Sequence, residues 1–344
     1  MTDDASFQPI LLSLPSLTPS LAAEVLPHGL TLHRLFLQAD GRTHDLVVGP
    51  EDPTGHKILK YTNTVIGRYT NRVPTGPHTL TRNGITTTIS PKATAESAPR
   101  VSLHGGPTGF DQLTVQHWGF NLEASLKDGS PSLSVKNHRL TIAAPHTVKI
   151  DGDGLATGEL APTSGTVHQH RSKLIGENFP EVAAEGSLSP GYGEYNHFYV
   201  FDKRDLGPSI AAKHRITAEE FTPELNAVAD VLKPGAADGV VELASEKSGI
   251  RLVFGTNQSG VQFYSYNFAS GEGSRKRIHG GSGSFGPGEG YPATSAVFLE
   301  FHEPLASYLH PGSNPSGDDT ILAPGEIYNN YVRADVLYKT PNPL

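Results

Sequence analysis

Residues 102–111 read Ser102-Leu103-His104-Gly105-Gly106-Pro107-Thr108-Gly109-Phe110-Asp111. Paired glycines allow the backbone a positive φ and a close approach to a ligand, so His104 is expected at the lip of a concavity. Upstream lies Gly67-Arg68-Tyr69-Thr70-Asn71-Arg72, a strand-like approach ending in an amide and a second arginine. Around these runs, short segments rich in β-branched and aromatic residues alternate with Gly, Pro, Asn and Asp clusters, the pattern of antiparallel strands joined by turns. Asp45-Leu46-Val47-Val48, Arg139-Leu140-Thr141-Ile142, Ile250 to Phe254 and Val261-Gln262-Phe263-Tyr264 are examples. No stretch sustains the 3.6-residue apolar period of a long helix. The expected fold is all-β: a large antiparallel β-sandwich, residues 1–344 as a single domain, with a ligand cleft across one sheet.

Composition narrows the function. The chain has 344 residues, 36% hydrophobic, with 37 Gly and 27 Pro, and no apolar run near the roughly 20 residues that span a bilayer. It has no cysteine, which excludes disulfides, thiolate catalysis and zinc-thiolate sites. A net charge of −8 argues against nucleic acid or an anionic membrane as partner. A neutral small molecule fits better. The acidic start Met1-Thr2-Asp3-Asp4 lacks the features of a secretory signal, so the cytoplasm is the expected compartment.

Several residues invite chemistry. Glu300, in Phe298-Leu299-Glu300-Phe301-His302-Glu303-Pro304, is a carboxylate in an apolar strand. Alternation puts it on the face opposite Leu299 and Phe301, aimed at a polar site or at water. Glu303 reads as a solvated neighbour at the strand's end. His117 sits beside the chain's one tryptophan, Trp118, a plain core residue or a flat apolar platform for a ligand. Arg72 is either a surface ion-pair partner or a fixed cation for binding. Gln262 is either a cleft residue or an exposed polar one.

The two runs quoted first resemble the aldose 1-epimerase (galactose mutarotase) family, whose motifs read Gly-Arg-x-x-Asn-Arg and Leu-His-Gly-Gly-x-x-Gly-Phe-Asp. His117-Trp118-Gly119-Phe120-Asn121-Leu122 is similar to the run holding the family's acid histidine, and Leu299-Glu300 to the one holding its catalytic glutamate. Gly260-Val261-Gln262-Phe263-Tyr264 is similar to its Gly-Val-Gln-x-Tyr strand. The resemblance implies Glu300 and His117 as catalytic base and acid, and Arg72, Asn71, His104, Asn196 and Gln262 as substrate-binding residues. The reaction implied is interconversion of the α and β anomers of a free hexose, without metal or other cofactor.

Two departures stand beside it. Only residues 105–116 separate His104 from His117, where the family has a long segment carrying several strands. Loss of those central strands would leave sheet edges exposed and the chain poorly soluble. Asn196, in Tyr195-Asn196-His197-Phe198, stands where the family has a substrate-binding Asp, with Glu194 as a substitute nearby. A non-catalytic sugar-binding relative, or an inactive shortened variant, is therefore the alternative reading. Other signals carry less. Gly281-Ser282-Gly283-Ser284-Phe285-Gly286 runs into Pro287 where a dinucleotide site needs a helix. His168-Gln169-His170 offers two metal ligands without a third. Arg275-Lys276-Arg277 reads as a solvated loop tip.

Overall fold

A computed structural model describes residues 4–16, 18–67, 69–95, 97–107, 115–126, 133–179, 195–204, 206, 209–233 and 239–341. Arg68, Glu194 and the segment from Thr108 to Thr114 lie outside the described residues.

The expected all-β class holds. Among the described residues the one α-helix is Ala227–Leu232, and the named strand pairings are antiparallel. A six-stranded sheet runs in the order Trp118–Phe120, Val297–His302, Gly260–Tyr264, Asn196–Val200, His146–Ile150, Ala156–Pro162. Facing it, a five-stranded sheet runs Lys173–Leu174, Arg139–Ile142, Val241–Ala244, Ile250–Thr256, Val332–Tyr338. Strand alternation supplies the core: Val297, Leu299 and Phe301 from one sheet meet Leu243, Leu252 and Phe254 from the other. Phe254 packs 5.5 Å from Phe301 and 5.4 Å from Phe120, centroid to centroid. Burying each such ring stabilises the fold by about 1.5–3 kcal/mol.

A four-stranded sheet, Ile10–Leu14, Ser20–Leu26, Thr31–Ala39 and Arg42–Asp45, adds Leu32 and Leu37 to the same core, and Leu46 and Val47 join it just past the last strand. An isolated bridge between Val47 and Phe120 ties the two regions. No helix of the described residues is long and apolar enough to cross a membrane.

One expectation fails here. Lys276 is no solvated tip: its side chain is fully buried, and Nζ donates to Asp45 Oδ2 at 2.8 Å and to the carbonyls of His33 and Val47 at 2.6 and 2.8 Å. A buried ammonium persists only where its protons are all taken up, and three acceptors meet three donors. Arg275 and Arg277 on either side are half-buried and exposed.

Candidate active site

The outer face of the six-stranded sheet carries the candidate residues. Trp118 pairs with Leu299 and Phe120 with Val297, so His117, one residue before, stands opposite Glu300. His117 Nε2 and Glu300 Oε1 are 2.9 Å apart, and the two residues are only 7% and 3% exposed. The same register turns Trp118 to the Leu299 side, against Phe120, which makes it core rather than a sugar platform. Gln262 is the cross-strand partner of Glu300 on the other side. Its Nε2 donates to Asn196 Oδ1 at 2.7 Å, from the next strand over.

Arg72, Asn71 and His104 arrive from a separate ribbon in which Arg72–Pro74 pairs with Val101–Leu103. Both chains leave it in the left-handed region, Asn71 at φ 54° and His104, Gly105 and Gly106 at 49°, 85° and 84°. The paired glycines thus do what their sequence implied. The two turns clasp each other: the His104 amide donates to the Asn71 carbonyl at 2.9 Å, and the Asn71 amide to His104 Nδ1 at 3.2 Å. With Nδ1 accepting, a neutral His104 carries its proton on Nε2. Arg72 Nη1 donates to Asn71 Oδ1 at 3.2 Å, so Asn71 spends its oxygen orienting the guanidinium. His104 lies 5.8 Å from the His117 ring and 5.1 Å from Tyr61.

The structure therefore gathers His104, Arg72 and Asn71 beside His117 and Glu300, and links Asn196 and Gln262 on the same sheet face. Burial alone would raise the Glu300 pKa, but the charge and hydrogen bond of His117 outweigh it and hold the carboxyl below its usual range. Burial depresses His104 to about 3, against an opposing pull from Glu300. Burial likewise lowers Arg72, with Glu300 opposing. An anionic carboxylate, a neutral imidazole donor and a guanidinium side by side are groups that can take a proton and donate hydrogen bonds to neutral oxygens.

Sequence reasoning missed three contributors. Phe298 packs with its ring tilted 40° and centred 4.7 Å from that of His117, and Tyr264 packs beside Phe298. His302 faces the same way as Glu300, a placement the period of two already implied. Glu303, expected to be solvated, is only 9% exposed and accepts from the Ser259 amide at 2.9 Å and Asn314 Nδ2 at 2.7 Å. Its oxygens pin loops at the strand's end, which is why it turns inward. His168 Nδ1 and His170 Nε2 both lie 3.0 Å from the Tyr199 hydroxyl. A separate surface pocket of about 280 Å³ is lined by Arg82, Arg215, Asp318 and Glu326, whose charges pair with one another or with Asp319.

No family model matches the chain. It is 22% identical over 326 residues to a probable aldose 1-epimerase of Arthroderma benhamiae, across 73% of this chain and 68% of that protein. It is 23% identical over 369 residues to the galactose mutarotase of Bos taurus, across 90% and 89%. In fold it is similar to a GalM/aldose epimerase homologue from C. elegans, with a TM-score of 0.57 and 17% identity over 96% of this chain and 99% of that one. In sequence and in its antiparallel sandwich, the chain is a distant relative of the aldose 1-epimerase (galactose mutarotase) family.

Proposed function

We propose that this chain is an aldose 1-epimerase that interconverts the α and β anomers of a free hexose. The observation that supports this most is the buried contact between His117 and Glu300. The C1 hydroxyl and the ring oxygen of a pyranose are bonded to the same carbon, so a base and an acid that serve them must lie close together. Glu300 takes the proton of the C1 hydroxyl while His117, carrying a proton, gives it to the ring oxygen. The bond from C1 to the ring oxygen breaks, leaving an open-chain aldehyde. Rotation about C1–C2 and reversal of both transfers close the other anomer and restore both groups. Arg72 and His104 donate to sugar oxygens, Asn71 orients Arg72, and Asn196 with Gln262 holds the hydroxyls further along the sheet. On this reading residues 1–344 form one β-sandwich domain and the chemistry needs no metal or other cofactor.

A second reading, sugar binding without turnover, is favoured by Asn196. It carries no charge, and its oxygen is committed to Gln262. Polarimetry on freshly dissolved α-galactose and α-glucose separates the two. The expected result is anomerisation faster than the buffer rate, abolished by Glu300→Gln with sugar binding kept. Binding without acceleration would establish the second reading.

A further inference from the structure

His302 follows Glu300 by two residues, which sets it on the same sheet face about 6.8 Å further along the strand. It is 2% exposed. Its Nδ1–H donates to the Glu303 carbonyl at 2.6 Å, which fixes the neutral tautomer and leaves Nε2 as a bare lone pair. Burial, opposed by the nearby Glu300 charge and the Glu303 carbonyl, brings the ring down to about 4, so it is neutral at pH 7. The ring packs 4.5 Å from Phe198. Phe198 in turn lies over Gly260, where a Cβ would come within 2.5 Å of it. Held this way, Nε2 is buried and makes no hydrogen bond among the described residues.

Each hydroxyl of a pyranose needs an acceptor for its proton. Arg72 and His104 Nε2–H are donors, and Asn196 Oδ1 already accepts from Gln262 with one of its two lone pairs. Besides Nδ1 of the proposed acid His117, the buried polar atoms on this face without a protein partner among the described residues include Glu300 Oε2, Gln262 Oε1 and His302 Nε2. Glu300 is reserved for C1. Given the sugar site proposed above, we propose that His302 Nε2 receives the hydrogen bond of the hydroxyl across the ring from C1, the one on C4, and so decides which aldoses the site accepts. The step from Glu300 to His302 along the strand is comparable with the width of a pyranose between those two positions.

The test compares mutarotation of glucose, galactose and 4-deoxyglucose by the wild type, His302→Phe and His302→Gln. A site built to receive a hydroxyl rejects the analogue lacking it, because the buried acceptor is left unpaired. The wild type is expected to favour a C4-hydroxylated sugar over 4-deoxyglucose by about 100-fold or more in kcat/KM. His302→Phe should shrink that ratio to within about threefold, the loss falling on the hydroxylated sugar, and His302→Gln should recover part of it. In the wild type, ¹⁵N NMR should show the His302 Nε2 resonance moving on sugar binding while Nδ1 stays put. An unchanged ratio in His302→Phe, or an Nε2 resonance that ignores saturating sugar, overturns the proposal. A wild type that leaves anomerisation at the buffer rate overturns the epimerase reading instead. The Nε2 response to bound sugar, which needs no turnover, then still decides the role of His302.

Discussion

His117 and Glu300 meet because the strand pairing of Trp118 with Leu299 sets their Cα atoms opposite one another, and the proposed epimerase reaction gives each a distinct task. A proton donor acts mainly in the transition state, whereas a fixed cation holds substrate throughout. His117→Asn is therefore expected to lower kcat by about 10²–10⁴-fold with a smaller change in sugar affinity. Arg72→Ala should raise KM more than it lowers kcat. Polarimetric kinetics beside calorimetric binding check both, and equal modest effects would undo the assignment. At this scale the sequence was partly legible. Alternation with Leu299 and Phe301 aimed Glu300 off the core face, and the Gly105-Gly106 pair announced the left-handed turn. His302 was equally legible by the same period. Lys276 was not, because nothing local reveals that a charge in a glycine-rich loop will meet Asp45, 231 residues away.

The elements around the site depend on glycine in two places. At Gly119 a Cβ would stand 2.6 Å from the Phe298 ring, the ring that supports His117. Gly260 bears the same relation to Phe198 and His302. Gly119→Ala should destabilise the fold by about 1–3 kcal/mol, read as a lower urea midpoint, and Phe298→Leu in the same chain should restore part of it. The strands themselves could be read from their β-branched runs, but not which strand would neighbour which. Trp118–Phe120 reaches Val297–His302 across about half of the chain. Unrelated to the short segment between His104 and His117, Ile10–Leu14 is an edge strand whose Ile10, Leu11, Leu12 and Leu14 are all more than half exposed. No charged residue lies between Asp4 and Glu24 to guard it. Leu12→Lys should raise the concentration at which the protein stays monodisperse by light scattering, with the unfolding midpoint little changed.

Across the whole molecule, burial governs the response to acid. It depresses His56, His138 and His197 to about 3 and His279 and His302 to about 4. Unfolded, each takes a proton near pH 6.5; folded, none does until pH 4 or below. Unfolding therefore consumes protons across that window, and stability falls as pH drops from 6.5 towards 4. The slope is about 1.4 kcal/mol per pH unit for each histidine fully protonated only when unfolded. Glu300, held below its usual range, stays charged through the same window and adds its own loss only below the ordinary carboxylate value of 4.5. Melting temperature against pH should therefore decline steeply below 6.5, while initial rates at low temperature persist until the fold gives way. A flat profile between pH 6.5 and 4.5 would show these histidines to be solvated.

The buried Lys276–Asp45 pair also constrains the order in which the molecule can assemble. The Lys276 ammonium cannot leave water until Asp45 is in place. Asp45, which among the described residues has only Arg34 at 3.5 Å as a local cation, is not fully neutralised until Lys276 arrives, since a lone buried ion costs several kcal/mol. Asp45 leaves the ribosome long before Lys276, so the sheet that carries it must wait, open or chaperoned, until translation has passed residue 276. Nascent chains arrested short of that point should remain protease-sensitive throughout their N-terminal third. Those arrested well beyond it should become resistant in one step.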